Sequence, residues 1–439
     1  MKKRLSLFMT IILVFLTCSN VFASLPSDFQ TEAIFLMETN TGKILYEKNA
    51  SQKMYPASTT KILTALLALE LADPKDTVVI GKEVYTVPLD ASKAGHLPGD
   101  EILLQDLLMG LLLPSGNDSA VAVATYIAKK ETGNPNLSLD ESIHYFSELA
   151  NERAKKTGAN QTHFVNPHGY HDDNHYTTAH DLALIAQEAM KNPQFRNIVK
   201  TYTYTMDDKE KQRVIPWRNR NLLLDSNKEA TYYPYATGIK TGFTTPAGEC
   251  LVASATKGDL DLIAVLLNSP KDQRWTEAKI LFEYGFNNFE FHQIITSNEV
   301  AGKIQMSKQK PKGPNELEVT ATEGFAELLK SSDIPKIQKQ ILWKEELLDP
   351  NFKEENKLLA PIEEKQIVGT VQYTLNNQIL AEIPLAASST IERRTIWDVL
   401  FSIKAIPIWF GVFFGLFILR FLFKLSKKRK RKTKGFRFR

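Results

Sequence analysis

Apolar residues change their spacing along this 439-residue chain, and each change predicts a different element. Ala33-Ile34-Phe35-Leu36-Met37, the polar Asn40-Thr41-Gly42 and Lys43-Ile44-Leu45-Tyr46 predict two strands joined by a tight turn. Over residues 58–71 the apolar positions Ile62, Leu63, Leu66, Leu67 and Leu69 predict a helix buried deep in a core. Residues 106–113, 120–129, 143–156 and 180–190 also carry helical spacing. Residues 250–256 and 260–268, linked by Lys257-Gly258-Asp259, predict a second hairpin. Strands at both ends of this region, with helices between them, predict a sheet built from both ends and covered by helices. That is an α+β domain.

Beyond Phe286 the texture changes. Residues 308–315 form a turn rich in Lys, Pro and Gly, and the alternating segments 317–320, 340–343, 368–373 and 379–383 predict a small β-rich domain. The expected boundaries are 24–286 for the first domain, 287–390 for the second and 391–404 for a juxtamembrane link. Within 405–423 the chain is apolar except for Arg420, and its nineteen residues reach about 28 Å as a helix, close to the roughly 30 Å hydrocarbon thickness. The basic tail 424–439 then predicts a single span with that tail in the cytoplasm and the larger part of the chain outside the cell. At the other end, Lys2-Lys3-Arg4, the apolar run 5–16 and Val21-Phe22-Ala23 predict a signal peptide over 1–23.

Charge sharpens this division. Residues 24–419 hold 40 basic and 50 acidic side chains, a net of −10, between two basic ends. An acidic body excludes a nucleic-acid surface on it. Hydrophobic content of 43% and charged content of 24% exclude a disordered or collagen-like chain. Loss of Cys18 with the signal leaves Cys250 alone, so no intramolecular disulfide can form, and its apolar neighbours predict a buried structural thiol.

Three short motifs carry candidate chemistry. Ser58-Thr59-Thr60-Lys61 opens the apolar helix, where positions i and i+3 share a face and an amine can reach a hydroxyl. Such an amine acts as a base only when neutral, which requires burial or cationic neighbours. Ser115-Gly116-Asn117 falls in a turn between two helices, and Lys240-Thr241-Gly242 enters the strand before the second hairpin. Each motif alone is common in surface caps and turns. In this order, each in its context, they are specific.

In these motifs the sequence resembles the penicillin-binding-protein and serine β-lactamase superfamily, built on Ser-x-x-Lys, Ser-x-Asn and Lys-Thr-Gly. It is most similar to the low-molecular-weight D-alanyl-D-alanine carboxypeptidases through Leu107-Leu108-Met109-Gly110, Phe164-Val165-Asn166-Pro167-His168-Gly169-Tyr170, His175-Tyr176-Thr177-Thr178-Ala179 and Gly238-Ile239-Lys240-Thr241-Gly242-Phe243. The resemblance covers about residues 33–286 strongly and the β-rich part to about 387 more loosely. It implies an antiparallel sheet with packed helices, then the small β-rich domain and the C-terminal transmembrane helix. It also implies an exported, membrane-anchored enzyme that trims D-alanine from peptidoglycan stem pentapeptides, binds β-lactams and uses no cofactor or metal.

Carried over by resemblance, Ser58 is the nucleophile, Lys61 its base and Ser115 a proton relay. Asn117 holds the substrate peptide, Lys240 and Thr241 bind the terminal carboxylate, and the N–H groups of Ser58 and Phe243 form an oxyanion hole beside Gly242. Family members often have His where this chain has Phe243. Arg274 is a candidate second carboxylate anchor, with a solvated surface role as its alternative.

Two other activities and one binding role compete. His163, His168, His171, His175 and His180 with Asp172 and Asp173 suggest a zinc site, but Pro167 and Gly169 break any common helix face. A β-lactamase of the kind that uses an added Glu lacks a Glu-x-x-Leu-Asn element in 145–180. A non-catalytic wall-binding protein would not be expected to keep all of Ser58, Lys61, Ser115, Asn117 and Lys240.

Overall fold

The computed structural model describes residues 28–208, 211, 213–352, 354–400 and 405–433. The expected signal peptide, with Cys18, and the end of the basic tail lie outside these residues. The chain divides into two compact units after Glu290, four residues beyond the boundary expected from sequence.

In the first unit, β1 (Ala33–Glu38) and β2 (Ile44–Lys48) form the predicted hairpin. A 3-10 turn at Ala57–Thr60 leads into α1 (Lys61–Leu71). The expected helix from Ser58 therefore starts at Lys61, with Ser58 on the 3-10 turn before it. The cause is local: the Thr59 and Thr60 hydroxyls donate to the carbonyls of Pro56 (2.6 Å) and Ala57 (2.9 Å), which tightens the turn. Every residue of α1 from Lys61 to Ala68 is buried, as its apolar surface predicts. The short ladder β3 (Thr77–Val79) and β4 (Glu101–Leu103) precedes α2 (Leu104–Leu112). Then come α3 (Asn117–Thr132), α4 (Leu139–Lys156), α5 (Ala179–Lys191) and α6 (Pro193–Lys200).

The hairpin β5 (Thr203–Asp208) with β6 (Arg213–Arg218) was not predicted, because charged residues surround its turn and mask the alternation. It is held by Trp217, whose buried indole donates to the Ala94 carbonyl at 2.9 Å. The strands β7 (Ala236–Thr244), β8 (Gly248–Lys257) and β9 (Leu260–Ser269) complete an antiparallel sheet of order β2-β1-β9-β8-β7. Phe35 pairs with Val265, so the first strand closes against the last. α5 packs against β1 and β9, and the final helix, α7 (Gln273–Asn288), against β8 and β9. β1 is buried at every position, a strand covered on both faces.

The second unit is β-rich. Its main sheet runs β14-β16-β17-β12-β11-β15, and β10 pairs with β13 beside it. These are β10 (Phe289–Ile295), β11 (Val300–Ser307), β12 (Glu316–Ala321), β13 (Phe325–Lys330), β14 (Gln338–Trp343), β15 (Leu358–Leu359), β16 (Ile367–Leu375) and β17 (Gln378–Ala387). Leu317, Val319, Val371 and Ile383 alternate inward to form its core. After α8 (Ile396–Leu400), α9 runs Ile406–Thr433, and its part Ile406–Lys427 is long and apolar enough to cross a membrane.

Candidate active site

Lys61 is fully buried at the start of α1. Its Nζ lies 2.9 Å from Ser58 Oγ, 2.6 Å from Asn117 Oδ1 and 2.8 Å from the His168 carbonyl. Two of these partners can only accept, so they use two N–H bonds, and the third contact is a hydroxyl that can donate. A neutral amine has two N–H bonds and one lone pair, which matches this set. Burial, then the Lys240 and Arg220 cations, push Lys61 well below the ordinary lysine range. The site therefore favours an amine that can take the proton of Ser58.

Two glycines make the close packing around Ser58 possible. Gly242 brings β7 against the 3-10 turn, where a Cβ would lie 2.9 Å from the Pro56 carbonyl and 3.1 Å from the Ser58 nitrogen. On the other side, Gly169 has φ of +80°, and a Cβ there would lie 1.8 Å from the Ala57 carbonyl. Ala57 itself has φ of +47°, so the residue before Ser58 holds a conformation rare for a side-chain-bearing residue.

Ser115 lies in the turn between α2 and α3, and Asn117 is the first residue of α3. Ser115 also has positive φ, +67°, and its hydroxyl is buried with no hydrogen-bond partner among the described residues. A strained, unsatisfied hydroxyl on the wall of a cleft is available to a ligand. Next to it, Asp118 is buried and accepts the N–H groups of Ala94 (2.8 Å), Gly95 (2.8 Å) and His96 (3.2 Å). It thereby fixes the loop whose Ser92 carbonyl accepts the Asn117 N–H at 2.8 Å.

The third motif lies within β7 rather than at its entrance. Lys240 is buried, with Nζ donating to the Thr241 carbonyl at 3.0 Å, and burial together with Arg220 and Arg274 pushes it well below the usual lysine range. Ser58, Ser115, Asn117, Tyr170, Thr241 and Arg274 line one cavity of about 520 Å³, and Gly242 and Phe243 share its wall. The Phe243 ring, 63% exposed, occupies its rim. Arg274 lines the same cavity, but its guanidinium donates to the Gly242 (3.1 Å) and Cys250 (3.2 Å) carbonyls and pairs with Glu249 at 3.3 Å. It braces β7 against β8 as well as facing the cleft.

The histidines do not gather. Among the described residues no group of three His, Cys, Asp or Glu side chains could hold a metal ion. His175 is buried instead: its Nδ1 accepts the Val165 N–H at 3.1 Å, so Nε2 carries the proton and donates to Thr60 Oγ1 at 2.8 Å. Thr60 in turn donates to the Ala57 carbonyl, tying this loop to the turn that carries Ser58. Burial pushes the His175 imidazole down to about 3, so it stays neutral. Cys250 is also fully buried, and burial pushes its thiol up to about 11, which makes it inert at neutral pH.

Comparison with known proteins places this arrangement. Residues 20–271 match the family profile described as D-alanyl-D-alanine carboxypeptidase, more than half the chain. The chain belongs to the D-alanyl-D-alanine carboxypeptidase family. Residues 289–393 of the carboxypeptidase match the C-terminal domain of penicillin-binding protein 5. It is 31% identical over 372 residues to the D-alanyl-D-alanine carboxypeptidase DacF of Bacillus subtilis, covering 83% of this chain and 86% of that one. It is 32% identical over 399 residues to DacC of Escherichia coli, covering 87% and 90%. Penicillin-binding protein 5 from Haemophilus influenzae has a similar solved structure, with TM-score 0.59 and 26% identity over 84% of this chain and all of that one. The carboxypeptidase is thus a serine hydrolase with the α+β fold of its family.

Among the cleft residues of the carboxypeptidase that sequence reasoning missed is Arg220. It follows β6 in a loop, lines the cavity, and among the described residues has no acidic partner. No motif marks it, and only the β5–β6 hairpin brings it to the site.

Proposed function

We propose that the first unit removes the terminal D-alanine from peptidoglycan stem pentapeptides through an acyl-enzyme on Ser58. The observation that carries this reading is the buried Lys61 amine, bonded at once to Ser58 Oγ, Asn117 Oδ1 and the His168 carbonyl. In this reading neutral Lys61 takes the Ser58 proton as Oγ attacks the carbonyl carbon between the two D-alanines. The N–H groups of Ser58 and Phe243 receive the developing oxyanion. Ser115 returns a proton to the departing amine, and water later opens the ester with the same groups reversed. Lys240 and Thr241 receive the substrate carboxylate, with Arg220 and Arg274 adding positive field. Asn117 holds the substrate peptide while it orients Lys61.

A β-lactam presents a strained amide at the same place, so penicillins acylate Ser58 as well. Incubation with labelled penicillin and mapping of the adduct tests this reading, together with D-alanine release from a pentapeptide. A label on any residue other than Ser58, or no D-alanine released, would sink it.

The same proposal has an anchor. The domains are taken as 24–286 and 287–390 after cleavage of 1–23, with one membrane span over 405–423 and the catalytic unit outside the cell. Support comes from the apolar part of α9, Ile406–Lys427, which starts within one residue of the expected span and continues past it. The basic residues after it attract anionic lipid at about 1 kcal/mol each near the surface. Truncation before Arg393 is expected to yield a soluble protein that still releases D-alanine from small peptides. Sedimentation of the truncated protein with membranes after a high-salt wash would contradict the anchor.

A further inference from the structure

A second cavity, of about 700 Å³, shares the loop that completes the active site. Two segments border both cavities. Residues 163–171 give Phe164, Val165 and His168 to this one, and Gly169, Tyr170 and His171 to the catalytic one. Residues 86–92 give Thr86 here, and Ala91 and Ser92 there. A third wall comes from α4, through Asp140, Ile143 and Ser147. The two cavities are therefore neighbours, separated by the turn from His168 to Gly169.

Its lining is built for a polar, uncharged ligand. Ser147 is only 7% exposed, and its hydroxyl has no hydrogen-bond partner among the described residues. A buried hydroxyl that the protein leaves unpaired marks a place for a ligand atom. The two imidazoles on the wall offer opposite functions. His168 Nδ1 accepts the Tyr170 N–H at 3.0 Å, so its Nε2 carries the proton and can donate. His163 Nδ1 lies 2.7 Å from the Asn174 carbonyl, which only accepts, so the neutral ring keeps a bare Nε2 that can accept. Asp140 is exposed and adds a carboxylate acceptor. Val121, Ile143 and Phe164 supply apolar surface beside these groups. No Lys or Arg lines the cavity, so an anion would find no partner there.

A sugar matches this set. Each hydroxyl both donates and accepts, while ring C–H groups and an acetamide methyl cover apolar side chains. In a stem pentapeptide, four residues separate the glycan from the scissile bond, a reach of about 14 Å when extended. The sugar therefore falls beyond the catalytic cavity of about 520 Å³. We infer that the cavity between α4 and the His168 loop receives the N-acetylated amino sugar that carries the stem peptide. The inference rests on the carboxypeptidase reading above and extends the substrate from peptide to glycan-linked peptide. Ser147, His163 and His168 bind the sugar through their side chains and take no part in bond making.

The test compares a disaccharide-linked pentapeptide cut from cell wall with the same pentapeptide acetylated at its N-terminus, using the full chain in detergent. D-alanine release should favour the disaccharide form by about tenfold in kcat/KM, as a few neutral hydrogen bonds imply. Ser147→Ala keeps the helix and the volume but removes the hydroxyl, and should reduce the preference by about fivefold. Ile143→Trp fills the cavity and should abolish it. Both variants should keep the native rate on the acetylated pentapeptide, which also reports that they are folded. Free disaccharide should inhibit cleavage of the linked substrate and leave cleavage of the acetylated peptide unchanged. Equal kcat/KM for the two substrates in the unaltered enzyme, or a full preference retained by Ser147→Ala, overturns the inference and leaves the carboxypeptidase reading intact. Release of D-alanine from neither substrate overturns that reading and this inference with it.

Discussion

With Lys61 replaced by arginine, acylation of Ser58 by penicillin is expected to fall by about 10³ or more. Arginine keeps the positive charge and the long stem but remains protonated at any working pH, so it has no lone pair to offer. The native amine is matched to a neutral state by its partners: two acceptors, Asn117 Oδ1 and the His168 carbonyl, and one hydroxyl that can donate. Complete burial, then the Lys240 and Arg220 cations, push its pKa well below the ordinary lysine range.

The sign of the pH effect follows. A lysine is a base only above its pKa, so lowering that pKa extends acylation towards acid, and the rate falls where Lys61 gains a proton. Arg220→Gln removes one cation, raises the Lys61 pKa and should move this acid limb to higher pH. Rates of adduct formation followed by mass spectrometry over a pH series measure both effects. A Lys61→Arg enzyme within about tenfold of the native rate would rule out Lys61 as the base.

The parts of the site legible in the sequence were those written in contiguous residues. Ser58 and Lys61 are three apart, and Ser115 and Asn117 two apart, so local geometry alone brings each pair together. Even there, the backbone differed from expectation. Side-chain bonds from Thr59 and Thr60 turn the first residues into a 3-10 turn, in which positions i and i+3 eclipse more closely than in an α-helix.

What stayed hidden depends on contacts between distant segments. Nothing in the local pattern announces that the His168 carbonyl, 107 residues away, completes the set around Lys61. Arg220 arrives through a hairpin whose charged turn concealed its strands. The long hydrophobic segments were legible for the opposite reason. β1 and α1 are apolar nearly throughout because neighbours cover them on every side, and that composition is visible without knowing the neighbours.

Gly169→Ala is expected to cost at least about 10² in Ser58 acylation, although residue 169 carries no reacting group. An added Cβ would meet the Ala57 carbonyl oxygen at 1.8 Å and its carbon at 2.4 Å, both backbone atoms, so no rotamer change relieves the overlap. The backbone there has φ of +80°, an added cost for alanine of about 1–2 kcal/mol. Either the turn carrying Ser58 or the loop carrying His168 must shift. A shift of the turn moves the Ser58 hydroxyl away from Lys61. A shift of the loop withdraws the carbonyl that accepts from Lys61 at 2.8 Å, and disturbs the link from His175 through Thr60 to Ala57. Both displacements loosen the Ser58–Lys61 contact, so the loss should appear in the rate of acylation more than in the affinity for penicillin. The substitution should also lower the melting temperature by several degrees, since about 1 kcal/mol shifts a domain of this size by about 2–4 °C. Acylation kinetics and thermal melting of the same preparation separate the two effects. Native acylation by a folded Gly169→Ala enzyme would show that the turn and the loop need not meet this closely.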